Sequence, residues 1–275
     1  QDRSSAASDV YKRQMLRREV AAIDGRLASA RLPLGVESLD SALAGGLALG
    51  RVHMLCGRPG HDGALTGFAV ALLRRILAQT DEVAPVVWCP AAAGGGSGML
   101  YAAGLAALGL DPGRLLIVDS PSPGARLAAL EDILRTEGLA AVIVEYDRVS
   151  QTSDYWMRLA RRAQLAAEAS GVTGLLLGWP VAASGFDSLW HIAPSSAAPL
   201  SSAPSGQAGR DPSWNPSWHP CWQVELRHAR GGRPWSSQLS WDAYANSLSE
   251  IRREHETEAV PELSLIHISE PTRPL

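Results

Sequence analysis

The sequence predicts an α/β fold in which a mostly parallel twisted sheet is flanked by helices and followed by a C-terminal antiparallel hairpin. Three observations lead there. Five short, largely continuous apolar runs, at 51–56, 85–89, 114–118, 140–145 and 173–177, alternate with segments of helical periodicity. Continuous runs suit strands covered on both faces, which is the environment of a parallel sheet. Between the first run and its helix lies a glycine-rich turn carrying Gly57, Gly60 and Gly63. A turn of that kind, opening onto a helix N-terminus, is where many α/β proteins hold phosphate.

The elements follow in order. Residues 1–14 and 263–275 read as translated sequencing adaptors and are set aside from fold reasoning. Residues 15–31 alternate apolar and charged positions at helical spacing and predict an N-terminal helix. The main domain is expected over 32–245, beginning with a short helix around Leu39 closed by Gly45 and Gly46. After the strand at 51–56, helices are expected at 64–79, 99–108, 125–136 and 154–170, each preceding the next apolar run. Residues 180–219 are rich in Ser, Pro and Gly and read as a mobile loop. Strands at 222–227 and 237–241, joined across Gly231 and Gly232, predict a β-hairpin. The charged stretch 246–262 reads as a frayed tail.

Composition narrows the function classes. The formal net charge is −3, so broad coating of nucleic acid is not expected, although a local arginine stripe could bind single-stranded DNA. Cys56, Cys89 and Cys221 lack metal-site or disulfide spacing, and the first two sit inside apolar runs as small buried hydrophobes. No apolar stretch reaches the roughly 18 residues that span a bilayer, and a cytoplasmic, nucleoid-associated protein is expected.

The chemistry of the glycine turn is incomplete. A working phosphate loop reads G-x-x-x-x-G-K-[ST], with backbone N–H groups cradling phosphate, Lys on the β and γ oxygens and the hydroxyl on Mg²⁺. The one lysine of the chain is Lys12, so no register supplies it. Gly57, Gly60, Gly63 and Thr66 therefore form a degenerate nucleotide loop, and a plain turn between strand and helix is the favoured reading over ATP and Mg²⁺ binding. Glu145 ends an apolar strand, where an acid could hold Mg²⁺ or orient water, or could simply be leaving the sheet. Asp119 ends the preceding strand and takes the plainer reading. No catalytic residue and no metal site are expected.

Other positively charged groups invite partner contact. Arg227 and Arg230 fall on the hairpin, where a basic residue could reach a neighbouring subunit or stay solvated. Arg158, Arg161 and Arg162 share one helix whose apolar side holds Trp156, Leu159, Ala163 and Ala166. Trp214, Trp218 and Trp222 recur every four residues, but Pro216 and Pro220 forbid a helix. Packing over a sheet edge and binding a partner remain equal readings for them.

Taken together, the order of elements resembles the RecA/KaiC-like P-loop fold. GVESLD at 35–40, followed by Gly45, Gly46, Gly50 and Arg51, is similar to the lead-in to that superfamily's phosphate-loop strand. Within it, four segments resemble the ImuA family, older label SulA-like. They are LPLG at 32–35, GLAALGLDP at 104–112 with RLL at 114–116, LARRAQLAAE at 159–168, and WQVELR at 222–227 followed by RGGRP at 230–234. The family lacks a convincing Walker A lysine. The resemblance implies a non-catalytic accessory or scaffold protein of SOS-induced translesion DNA synthesis and mutagenesis. Its expected partners are an ImuB-type inactive Y-family polymerase homologue, RecA and an error-prone replicative-type polymerase. Two other readings stay open: an active DNA-dependent ATPase with an atypical loop, and a SulA-like inhibitor of cell division.

Overall fold

A computed structural model describes residues 30–80, 84–91, 100–120, 122–146, 152–178, 185–196 and 219–251. An antiparallel ribbon of β1 (Arg31–Leu32) and β2 (Leu47–Ala48) encloses helix α1 (Glu37–Ala42). The chain then alternates through β3 (Val52–Cys56), α2 (Asp62–Leu77), β4 (Val86–Cys89), α3 (Ala102–Ala107), β5 (Leu115–Ile117), α4 (Pro123–Leu134), β6 (Ala141–Glu145), α5 (Ser153–Ser170) and β7 (Thr173–Gly178). Four strands close it: β8 (Ser188–Pro194), β9 (Cys221–Ala229), β10 (Trp235–Asp242) and β11 (Ser247–Glu250).

These strands build one nine-stranded sheet in the order β11-β10-β9-β8-β3-β7-β6-β4-β5. From β8 to β5 every pairing is parallel, and from β8 to β11 every pairing is antiparallel. This is the RecA-like α/β arrangement, with the glycine turn leaving the C-terminal end of a central strand. All residues of β3, β4, β6 and β7 are buried, as their continuous apolar runs predict.

Two apolar cores cover the two faces. On one, Phe68 and Leu72 of α2 pack with Leu55, Trp88, Trp190 and Trp222. On the other, Trp156, Leu159 and Ala163 of α5 pack with Met54, Val142 and Leu176. The α5 helix starts at Thr152, whose hydroxyl accepts from the Tyr155 N–H at 3.3 Å, and stops at Gly171 with φ 81°. Gln164 of α5 clamps the β3 backbone, accepting from the Val52 N–H at 3.0 Å and donating to its carbonyl at 3.3 Å. Polar groups are also satisfied deep in the sheet. His53 is fully buried, and its Nε2 donates to the Ala48 carbonyl at 2.8 Å because a carbonyl can only accept. Its Nδ1 then accepts from the Ser188 hydroxyl at 2.7 Å, which itself accepts from the Trp190 indole N–H.

Three expectations need correction. Residues 188–194 are not loop: they form β8, which lies against β3 in the middle of the sheet. Its inward positions, Trp190 and Ile192, alternate with partly exposed ones, a weak period that the surrounding Ser and Pro hid. The tail begins with structure, because Ser247–Glu250 is the edge strand β11, with Leu248 buried and the Glu250 carboxylate accepting from Ser38 at 2.9 Å. Arg31, placed at the end of an N-terminal helix, is extended in β1. Residues 15–29 of that expected helix, both adaptor stretches, residues 197–218 with Trp214 and Trp218, and 252–262 lie outside the described residues.

Candidate functional site

The glycine turn is shorter than its sequence suggests. Strand β3 ends at Cys56, Gly57 donates to the Gly178 carbonyl at 3.2 Å, and α2 already begins at Asp62. Gly57 is tightly enclosed: a Cβ there would lie 3.1 Å from Leu65 Cδ1 and 3.2 Å from the Ile192 carbonyl oxygen. Gly60 takes φ +84°, which glycine adopts without strain. Gly63 and Thr66 belong to the helix and not to the turn.

Counting a phosphate loop from Gly57 places Asp62 at the second glycine, Gly63 at the lysine and Ala64 at the Mg²⁺-binding hydroxyl. The helix start is thus built, but the groups that would hold a triphosphate are not. Asp62 puts a carboxylate in the first turn, so the positive end of the helix already has a negative neighbour. Thr66 stands a turn further on and lines an apolar cavity of about 550 Å³ with Gly63, Gly67, Tyr101, Leu105 and Trp222. The residues present do not fit MgATP.

Glu145 lies on the rim of the same cavity, yet its carboxylate is committed inward. Oε1 accepts from the Trp88 indole N–H at 2.9 Å and Oε2 from the Ala91 N–H at 3.1 Å. Burial raises its pKa, hydrogen bonds from Ala91 and Trp88 with the charge of Arg126 oppose the shift, and Asp62 adds to it. Arg126 of α4 is fully buried and donates to the Glu145 carbonyl oxygen at 3.3 Å. Two carboxylates therefore face this end of the sheet. Burial pushes the neighbouring thiols up, Cys56 to about 12 and Cys89 to about 11, so neither is a thiolate. Asp119 follows β5 and is not among the residues that line this cavity.

The five arginines of the sequence reading separate into three places. Arg227 is the extra residue of a β-bulge on β9, since Leu189 pairs with His228 and Trp190 with Leu226. It bonds Glu225 at 3.2 Å, close to His191, whose pKa is lowered by burial and by Arg227 while Glu225 opposes. Arg162 joins two helices, its Nε and Nη2 meeting the Glu131 carboxylate of α4 at 2.7 and 2.8 Å. Arg158, Arg161 and Arg230 meet around a concavity beside α5. Arg230 also reaches the buried Asp187 carboxylate at 3.7 Å. Of the tryptophans, Trp222 is core: it packs edge-on to Phe68 at 5.5 Å and lies against Gly67.

Sequence reading missed Trp88, Arg126 and Asp187, and weighed His191 only as a metal ligand without the spacing for one. Trp88 looks like any strand residue, and Arg126 stands in an ordinary amphipathic pattern. Only the crossing of α4 over β6 brings it to Glu145.

The fold and this turn define a RecA-like domain whose phosphate loop is degenerate. No protein-family model matches the chain. Two relatives do, both described as "Protein ImuA", from Caulobacter vibrioides strains NA1000/CB15N and ATCC 19089/CB 15. Each is 34% identical over 222 residues, covering 74% of this chain and 80% of the relative. The chain belongs to the ImuA family.

Proposed function

We propose that this domain is a non-catalytic accessory protein of error-prone, damage-induced DNA synthesis, which assembles partner proteins instead of turning over nucleotide. Family membership supports the damage-response setting. The observation that carries the scaffold reading is the start of α2: an aspartate, a glycine and an alanine stand where phosphate binding needs glycine, lysine and a hydroxyl. A charged Asp62 costs a phosphate the attraction that the helix N-terminus would give it. Glu145 holds the backbone of Ala91 and the ring of Trp88, which makes it a structural acid. The expected partners are the ImuB-type inactive polymerase homologue, RecA and an error-prone replicative-type polymerase.

The test is complementation. In a Caulobacter vibrioides strain lacking its ImuA protein, this chain is expected to restore damage-induced mutation, and the Asp62→Ala variant to do so equally well. Failure to restore mutation, with the protein present and the native ImuA restoring it, would contradict the proposed role. An active ATPase is favoured by one feature alone, an acid at the end of β6, and it predicts DNA-stimulated turnover.

A further inference from the structure

Resting on the scaffold reading, we infer that the outer face of α5 docks an acidic, amphipathic helical segment of the polymerase-homologue partner. The face is concave, about 580 Å³, and walled on its far side by Gly185 and Arg230. Gly185 takes φ +113°, and a Cβ there would lie 3.1 Å from the Ala160 Cβ, so a side chain at this position is strained. Along α5, Met157, Arg161 and Leu165 recur at four-residue spacing and form one stripe. Met157 is 45% and Leu165 60% exposed, two of six large hydrophobic side chains that stand open among the described residues.

Charge selects the partner. Arg158 is turned along its own helix, donating to the Asp154 carbonyl at 3.3 Å, and Arg161 forms no ion pair among the described residues. By contrast, Arg162 one residue on is engaged by Glu131, so the arginines of α5 without an ion pair among the described residues lie on the concave side, which Asp154 also lines. Guanidinium groups over an apolar stripe suit a helix that offers carboxylates beside leucine-like anchors spaced three and four residues apart. Nucleic acid fits less well. Exposed Met157 and Leu165 gain nothing from a phosphate backbone, and of the two carboxylates lining the concavity Glu168 is already held by Arg51.

The experiment uses the purified chain and the ImuB-type homologue of Caulobacter vibrioides as probe, with a fluorescent 30-nucleotide single strand in parallel. Binding is read by titration for the wild type, Arg158→Glu/Arg161→Glu, Met157→Ser/Leu165→Ser, and Arg233→Glu as a surface control. Circular dichroism and melting confirm that each variant is folded. The charge-reversed variant is expected to bind the protein probe at least tenfold more weakly, the serine variant severalfold more weakly, and the control unchanged. Raised salt should weaken the wild type and leave the charge-reversed variant nearly insensitive. Unchanged binding by both double variants would overturn this surface while leaving the scaffold reading intact. Loss of DNA binding with protein binding preserved would also overturn it. No binding of the probe by the wild type would remove both.

Discussion

Residue 62 carries more of the functional argument than any other position, because a helix N-terminus that binds phosphate must stay free of fixed negative charge. Its identity was legible in the sequence, but its place at the first turn of α2 was not, since the glycines around it suggested a longer turn. Glu145 shows the same division. Its position at the end of an apolar run was readable. Its partners were not, because Trp88 and Ala91 come from another strand and its exit. A titration follows from its burial. The folded state holds the Glu145 proton more tightly than the unfolded chain, so stability falls as pH rises from about 4.5 through the raised folded value. Glu145→Gln removes that ionisation and keeps an acceptor for Trp88. Urea unfolding of both proteins from pH 4 to pH 8 should show the variant gaining on the wild type as pH rises. A constant difference across that range would mean that Glu145 is not buried as described.

At the scale of elements, the sequence reading found the strands buried on both faces and the β9–β10 hairpin, and missed β8 and β11. It took β5 for a covered strand, although β5 is the sheet edge with Leu116 and Ile117 exposed. Strands β3, β4, β6 and β7 lie between helices and read as apolar runs. Strands β8 and β11 show only alternation, within segments whose Ser, Pro and charge resemble loop. The antiparallel half is nonetheless firmly fixed. Trp222 is 3% exposed and fills the space between Phe68 and Gly67. Trp222→Ala should cost about 3–5 kcal/mol of stability, measured by chemical denaturation. The hairpin tip meets α1, where Arg233 donates its N–H to the Ala42 carbonyl at 2.9 Å and a Cβ on Gly232 would sit 2.1 Å from that oxygen. Gly232→Ala must lift the tip, at a cost of roughly 1–3 kcal/mol, and faster hydrogen exchange at Arg233 would report it. Equal exchange in variant and wild type would contradict the contact.

For the whole molecule, the fold positions a nucleotide-type turn, a buried acid and an arginine-lined concavity on one sheet, yet assigns them different work. The Glu145 carboxylate is bonded inward to Trp88 and Ala91. The concavity of α5 faces outward. None of the described helices is long and apolar enough to cross a membrane. The grouping of Arg158 and Arg161 with Arg230 was invisible in the sequence, because 69 positions and three strands separate Arg161 from Arg230. The proposed scaffold role rests on this combination, a RecA-like architecture whose phosphate loop is degenerate and whose arginine-lined concavity lies on the outside of α5. The most direct test is ATP binding and turnover by the purified chain, with Mg²⁺, with and without single-stranded DNA. The account predicts neither binding at millimolar ATP nor hydrolysis above the buffer blank. DNA-stimulated hydrolysis that is abolished by Glu145→Gln would contradict it.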